Sequence, residues 1–144
     1  MQESKLGLKI YYLTKLIRKQ IEQNRNDTKF TGMQGQVLHY LLGQKDDCEI
    51  FQKDIEYEFQ IKRSTATELL QSLEEKQYIK RIPTSYDARL KRIYLLDKAK
   101  QLAPEVEGVL SDIDETIMQN IEKQDLDTFV HVLDQMIDNM KKAG

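Results

Sequence analysis

The sequence predicts a mainly α-helical fold carrying one small β-hairpin. Three observations point to it. Apolar residues recur at helical spacing through most of the 144 residues. Trp is absent and Pro occurs twice, while Glu, Lys, Gln, Leu and Ile, all good or tolerated helix formers, dominate. The pattern turns β-branched and aromatic only after Gln77. The length suits one domain, or one domain with extensions that pack against a second copy. At 40% apolar and 32% charged residues the core is thin for the length.

The elements follow in order. Leu6, Ile10, Leu13, Leu16/Ile17 and Ile21 stripe a first amphipathic helix, which the polar run Asn24 to Lys29 ends. In "FTGMQGQVLHYLLG", Thr31 and Gln34 have capping-box spacing. Met33, Val37, Leu38, Leu41 and Leu42 form the apolar face of this second helix, and Gly43 closes it. A short third helix carries Ile55 and Phe59; a fourth carries Ala66, Leu69, Leu70 and Leu73 at i, i+3, i+4 and i+7. Gln60 and Ile61 leave room only for a tight turn between them, so the pair is a helix-turn-helix. "YIKRIP" and "RLKRIYLL" read as strands joined by the turn-like "TSYDA", with Pro83 at a strand end. Asp97 is expected to start a long helix with Leu102, Val106, Val109/Leu110, Ile113, Ile117 and Ile121 on its apolar face, bent near Pro104 and Gly108. The last helix, capped by Asp125, carries Leu126, Phe129/Val130, Leu133, Met136/Ile137 and Met140.

Charge is unevenly spread. The formal net charge is −2, yet Ile61 to Tyr94 holds eight Lys/Arg against four Asp/Glu. Pro104 to Asn139 holds one Lys against ten Asp/Glu. Such asymmetry suggests a segment that meets a polyanion, nucleic acid first and an acidic protein second, joined to one that does not. No apolar run reaches the roughly 20 residues that span a bilayer. The first 20 residues, threaded with Lys5, Lys9, Lys15, Arg18 and Lys19, are unlike a secretory signal. Cys48 is the single cysteine, which excludes an intrachain disulfide and suits a reducing cytosol.

The stretch "KRSTATELLQSLEEK" concentrates the functional signal. With Ala66 at zero on a helical wheel, Leu69, Leu70 and Leu73 fall within about 60° of it. Ser64, Glu68 and Gln71 take the opposite face, Thr65 and Thr67 the flanks, and Lys62 and Arg63 the entrance. Cations at a helix start oppose the macrodipole by a few tenths of a kcal/mol, a cost that an external phosphate removes. Hydroxyls and amides beyond them can bond base edges or phosphates. The same pattern also fits an ordinary solvated helix face. The hairpin that follows is basic through Lys80, Arg81, Arg89, Lys91 and Arg92. Directly behind a helix-turn-helix, such a hairpin is a wing whose tip can place an Arg in a minor groove. Asp87, two residues before Arg89, is close enough to fix its guanidinium.

Phe30 to about Leu102 resembles the multiple-antibiotic-resistance regulator (MarR) family of bacterial winged-helix transcription factors. The matching pieces are "TGMQGQVLHYLL", "DIEYEFQIKRSTATELLQSLEEKQYIKR" and "DARLKRIYLLDKA". The resemblance implies a single winged-helix regulator: helices over 1–25 and 97–144 complete an obligate homodimer, and 31–96 form the DNA-binding part. It puts Ser64, Thr65 and Thr67 in the major groove and Arg89 at the wing tip, supported by Asp87. With Lys62, Arg63, Glu68, Gln71 and Arg81 these form the expected DNA-binding set. The chain departs from the family at Leu96 and Ala99, where Thr and Gly are usual, and at Gln77, where Gly commonly follows the recognition helix. Those departures imply a differently capped helix start and a less regular C-cap.

The implied function is a cytoplasmic, nucleoid-associated regulator, most often a repressor, acting as a homodimer on a pseudo-palindrome with half-sites about one DNA turn apart. The resemblance also implies an unknown small-molecule effector. Tyr11, Tyr12 and His39 are candidates for an aromatic-acid pocket, though Tyr and His are ordinary semi-buried residues. Cys48 lies away from the first helix, where the family's oxidation sensors carry their Cys, and reads as a passive thiol. Asp127, His131 and Asp134 share a helix face, which is a solvated acidic face before it is a zinc site. Neither cofactor nor metal is expected. Two His, one Cys and no Gly-rich phosphate loop, His-Glu-x-x-His or Gly-x-Ser-x-Gly argue against an enzyme. The alternative is a winged-helix protein-interaction module that does not bind DNA.

Overall fold

The computed structural model describes residues 5–24 and 32–144. Seven helices and a two-stranded sheet follow one another among them: α1 (Leu6–Asn24), α2 (Gly32–Leu42), α3 (Gln52–Phe59), α4 (Arg63–Glu75), β1 (Ile79–Pro83), β2 (Lys91–Leu95), α5 (Asp97–Lys100), α6 (Ala103–Met118) and α7 (Lys123–Ala143). The chain divides into two compact units, Met1–Leu110 and Ser111–Gly144.

In the first unit the apolar faces of α2, α3 and α4 converge on the hairpin. Val37, Leu38, Leu41, Ile55, Leu70, Leu73, Tyr78, Ile79 and Ile93 are buried in one cluster, closed at its edge by Ala99 of α5. The strands pair antiparallel from Ile79↔Leu95 to Pro83↔Lys91, so Pro83 sits at the terminal pair. Ile93 N–H donates to Ile50 O at 2.8 Å, which ties the segment before α3 to the outer edge of β2. One polar side chain enters this interior. Gln34, 7% exposed, donates to Ser72 Oγ and accepts from Lys76 Nζ, both at 2.9 Å, and so pins α2 to the far end of α4. Thr31, its expected capping partner, lies outside the described residues.

The tight turn between α3 and α4 forms at Gln60, whose φ of 49° is left-handed. Ile61 N–H bonds Glu56 O at 3.1 Å across it. Asp54 supports the other end of α3 by accepting the Phe51 N–H at 2.8 Å. The α4 C-terminus is more regular than its sequence implies. Gln77 N–H bonds Glu74 O and Tyr78 N–H bonds Leu73 O, each at 3.0 Å, which completes a Schellman cap. Gln77 adopts φ 64° there, a conformation that suits glycine.

Three expectations for the C-terminal part need correcting. The helix from Asp97 is two helices, because Pro104 has no N–H for Lys100 O and its ring crowds that carbonyl. The chain restarts with Pro104 in the first turn of α6, where a missing N–H costs nothing. Ile121 is not part of α6. It lies in the turn after Met118, where Asn120 has φ 61°. Asp125 is not the cap of α7: Glu122 occupies that position and Asp125 lies in the first turn, where its charge favours the macrodipole. The start of α5 is capped by no side chain, Leu96 standing at that position.

In the second unit Ile113 is buried, while α7 has no fully buried residue. Phe129, Val130, Ile137 and Met140 on α7 are exposed, as are Leu6, Leu8, Tyr11 and Tyr12 on α1.

Gln77 offers a direct measure of the cap. Gln77→Gly should raise the free energy of unfolding by about 1 kcal/mol, the scale of left-handed strain in an L-residue, read from the urea midpoint at unchanged slope. No gain would show that the Gln77 side chain compensates for its backbone.

Candidate nucleic-acid interface

Burial of Ala66, Leu69, Leu70 and Leu73 turns the other faces of α4 outward. Lys62, Arg63, Ser64, Thr65, Thr67, Glu68 and Gln71 are all exposed. Lys62 stands at the N-cap position with extended backbone and makes no side-chain cap to the first-turn N–H groups. Among the described residues the side chains of Ser64, Thr65, Glu68 and Gln71 have no partner. Thr67 does: its hydroxyl donates to Arg63 O at 2.9 Å and accepts from Gln52 Nε2 at 2.9 Å.

Beside this face lies a cleft of about 390 Å³ between α3, α4 and the wing. Arg63, Thr67, Arg81 and Arg89 line it, four residues of the expected set drawn from two elements. Lys53 and Lys91 add charge, and Glu56 is the one acidic lining residue. Gln52 and Lys53 come from the first turn of α3 and were not legible as site residues. Their place depends on packing between α3 and α4, across fifteen residues of sequence in the case of Gln52 and Thr67.

The hairpin cations divide by role. Arg89 is 92% exposed at the side chain, with Nε 3.4 Å from Asp87 Oδ1, and its N–H donates to the same oxygen at 2.9 Å. Asp87 thus orders both the backbone and the guanidinium of Arg89. The turn below is closed by Thr84 N–H to Leu90 O at 2.8 Å and by Thr84 Oγ1 to Asp87 O at 2.7 Å. Tyr86 donates its phenol to Glu49 Oε2 at 3.0 Å, and that bond holds the phenol above its ordinary range.

Arg81 and Arg92 are engaged in the fold. Arg81 offers its N–H to Glu74 Oε2 at 3.1 Å and Nη2 to Glu74 Oε1 at 3.2 Å, clamping the wing base to the end of α4. The Arg81 side-chain hydrogen bond, with its charge and backbone N–H added, holds Glu74 below the usual carboxylate range against the opposing effect of burial. Arg92 Nη2 donates to Asp46 O at 2.8 Å and Cys48 O at 3.3 Å, and its guanidinium stacks 4.7 Å from the Tyr94 ring centre. Arg81 therefore sits in the cleft as a neutralised cation.

His39 Nε2 lies 2.8 Å from Glu107 Oε1, while Tyr11 and Tyr12 are exposed on α1. A cleft between α1 and α2 is lined by Thr14, Ile17, Arg18, Ile21, Met33 and Gln36 with their neighbours. Among the described residues no three His, Cys, Asp or Glu side chains are placed to share a metal ion. Asp127 of the acidic face pairs with Lys123 at 3.1 Å. Cys48 is exposed.

A buried four-residue stripe on α4, an outward basic helix start and a hairpin with an ordered Arg make up a winged helix. Residues 28–90 match the model of the MarR family. The chain has the fold of MarR-family transcription regulators. The transcription regulator MarR of Oenococcus oeni PSU-1 is 27% identical, with a TM-score of 0.75 over 93% of this chain and 99% of that one. The transcriptional regulator SlyA is 18% identical at a TM-score of 0.88, over 97% of this chain and 96% of its own. MepR of S. aureus, in a structure described as a complex with DNA, is 22% identical at 0.86 over 95% and 99%.

The Glu74–Arg81 clamp has a pH signature. A carboxylate held below its unfolded value contributes stability above the ordinary carboxylate range, and loses it as pH falls through the lowered folded value. Glu74→Gln should lower the urea midpoint at neutral pH, and the gap to wild type should close in acid. A gap that persists in acid would show that the loss comes from packing.

Proposed function

We propose that the chain is a sequence-specific, double-stranded-DNA-binding transcriptional regulator that works as a homodimer, with α4 in the major groove and Arg89 of the wing in the minor groove. The observation that carries this reading is the cleft that joins the α4 entrance to the wing. There the exposed cations Arg63, Arg89, Lys53 and Lys91 line one cleft with a single lining acid, Arg89 ordered by Asp87 and Lys53 lying 5.8 Å from the Phe51 ring centre. Phosphate contacts of this kind position a protein on a duplex, and the outward Ser64, Thr65, Glu68 and Gln71 supply base-edge chemistry. Lys62 and Arg63 suit a phosphate at the open N-terminus of α4. Arg81 acts within the set by holding the wing to α4. The MepR structure with DNA supports the same use of this fold.

The exposed apolar residues of α1 and α7 support self-association, since stripes of that kind pack across a two-fold axis in homodimers. In that dimer the two α4 helices would meet half-sites of a pseudo-palindrome about one DNA turn apart. The regulator acts as a repressor in the cytoplasm, on the nucleoid; no described helix is long and apolar enough to cross a membrane. A small-molecule effector fits a second cleft, of about 530 Å³, beneath β2 between α2 and α5. That volume lies within the range of ligand pockets.

Titration of salt decides between this reading and a protein-interaction module. Affinity for the DNA upstream of the protein's own gene should fall by about 10³-fold or more between roughly 50 and 200 mM salt, as several phosphate contacts require. A flat response would favour the interaction module, and equal affinity for random duplex would overturn the sequence-specific part of the reading. Arg89→Ala should weaken the same complex by about 1–3 kcal/mol, the scale of one good groove contact, with the dimer unchanged in sedimentation. Unaltered affinity would take Arg89 out of the interface.

A further inference from the structure

Thr67 is one of three hydroxyl residues at the start of α4, and it differs from the other two in what its oxygen can still do. Ser64 and Thr65 have no partner among the described residues, so each keeps a proton to donate. The Thr67 proton is spent. Gln52 Nε2 lies 3.3 Å from Arg63 O and 2.9 Å from Thr67 Oγ1. A backbone carbonyl only accepts, so the amide atom between them is the nitrogen, and the Thr67 oxygen must accept from it. The hydroxyl's own hydrogen then goes to Arg63 O, 2.9 Å away.

A hydroxyl in that state has no proton for a phosphate oxygen, for guanine O6 and N7, or for thymine O4, all of which only accept. Gln52 and the Arg63 carbonyl engage the oxygen, while Thr67 remains exposed and lines the same cleft as Arg89. The remaining lone pair of the oxygen can accept only from an adenine or cytosine amino group, and toward a thymine what Thr67 can offer is the methyl group on the same Cβ. The one base feature in the major groove that is matched by an apolar contact is the thymine 5-methyl.

We propose that Thr67 is a specificity-determining residue that reads a thymine methyl in each half-site through its own methyl group, and that Gln52 is the positioning residue that holds its hydroxyl out of the readout. The inference rests on the reading that α4 enters the major groove. It divides the hydroxyl trio into two donors, Ser64 and Thr65, and one apolar reader.

The test uses the full chain and duplexes that it selects from a random-sequence pool, with each thymine of the enriched site replaced in turn by uracil, which lacks only the methyl. One uracil per half-site should weaken wild type by about 4-fold per contact, the scale of one buried methyl. Thr67→Val, which keeps a methyl and loses the hydroxyl, should keep the uracil penalty and bind more tightly than Thr67→Ser. Thr67→Ser, which keeps the hydroxyl and its bonds to Gln52 and Arg63, should lose about the same 4-fold and become indifferent to uracil at that position. Wild-type affinity in Thr67→Ser with a loss in Thr67→Val would overturn the proposal, as would uracil indifference at every thymine in wild type. Should Thr67→Val melt early, the Thr67→Ser and uracil arms decide alone, because neither disturbs the Gln52 bridge. Failure to enrich any sequence would instead overturn the DNA-binding reading, and this proposal with it.

Discussion

Burial of Ala66, Leu69, Leu70 and Leu73 is the constraint on which the interface depends. These residues fix how α4 is rotated about its axis, and a helix rotates 100° per residue. Had the stripe shifted by one position, a hydroxyl would meet the core and a leucine would face solvent. Each buried Leu contributes about 1.5–3 kcal/mol relative to exposure, so three of them outweigh any single polar contact on the outer face. The apolar side therefore chooses the conformation, and the polar side is free to carry residues that stabilise nothing. Lys62 and Arg63 illustrate that freedom: as cations at a helix start they oppose the macrodipole, and the core tolerates them.

Polar bonds between elements then limit the remaining freedom. Gln34 joins α2 to Ser72 and Lys76, Gln52 joins α3 to Arg63 and Thr67, and Glu74 joins the end of α4 to Arg81. The three attach α4 near its start, its far end and the wing base. Hydrogen bonds of this type contribute little net stability each, but they are directional, and leaving a partly buried partner unmet is costly. Direction is what an interface requires. Apolar packing alone leaves a helix able to slide or tilt by small amounts, whereas Arg63 O and Thr67 Oγ1 bonded to one amide keep the first turns in register with α3.

What was legible in the sequence follows from the range of each interaction. Helix faces depend on spacing within one element, so the stripes of α1, α2, α4 and α7 could be read directly. The α3–α4 turn and the hairpin depend on a few adjacent residues and were equally plain. Asp87 and Arg89 meet because they are two residues apart. The break at Pro104 was foreseen as a bend, yet the loss of the N–H and the clash with Lys100 O act together and divide the helix. The Schellman cap at Gln77 shows the opposite error: the C-cap geometry was imposed by Leu73 and Tyr78, both fixed in the core, and it held without glycine. Gln52, Lys53 and the Glu74 clamp were not legible, because each depends on contacts between elements that no local period records.

Counting cations by sequence also hides how few of them are available to a partner. Arg81 is held by Glu74, and Arg92 is held by two carbonyls and stacked on Tyr94. Lys76 and Lys98 donate to Gln34 and to the Lys76 carbonyl, and Lys80 lies 5.8 Å from the Tyr94 ring centre. Such cations already have their fields partly spent, and a phosphate would have to compete for them. Lys62, Arg63, Arg89 and Lys91 are exposed, and three of these four line the one cleft between α4 and the wing. The positive balance of Ile61 to Tyr94 is thus a mixture of structural cations that hold the wing to α4 and exposed cations carried on the surface so fixed. The first group makes the second group's spacing reproducible, and reproducible spacing is what lets a row of charges match the phosphates of a duplex rather than merely attract them.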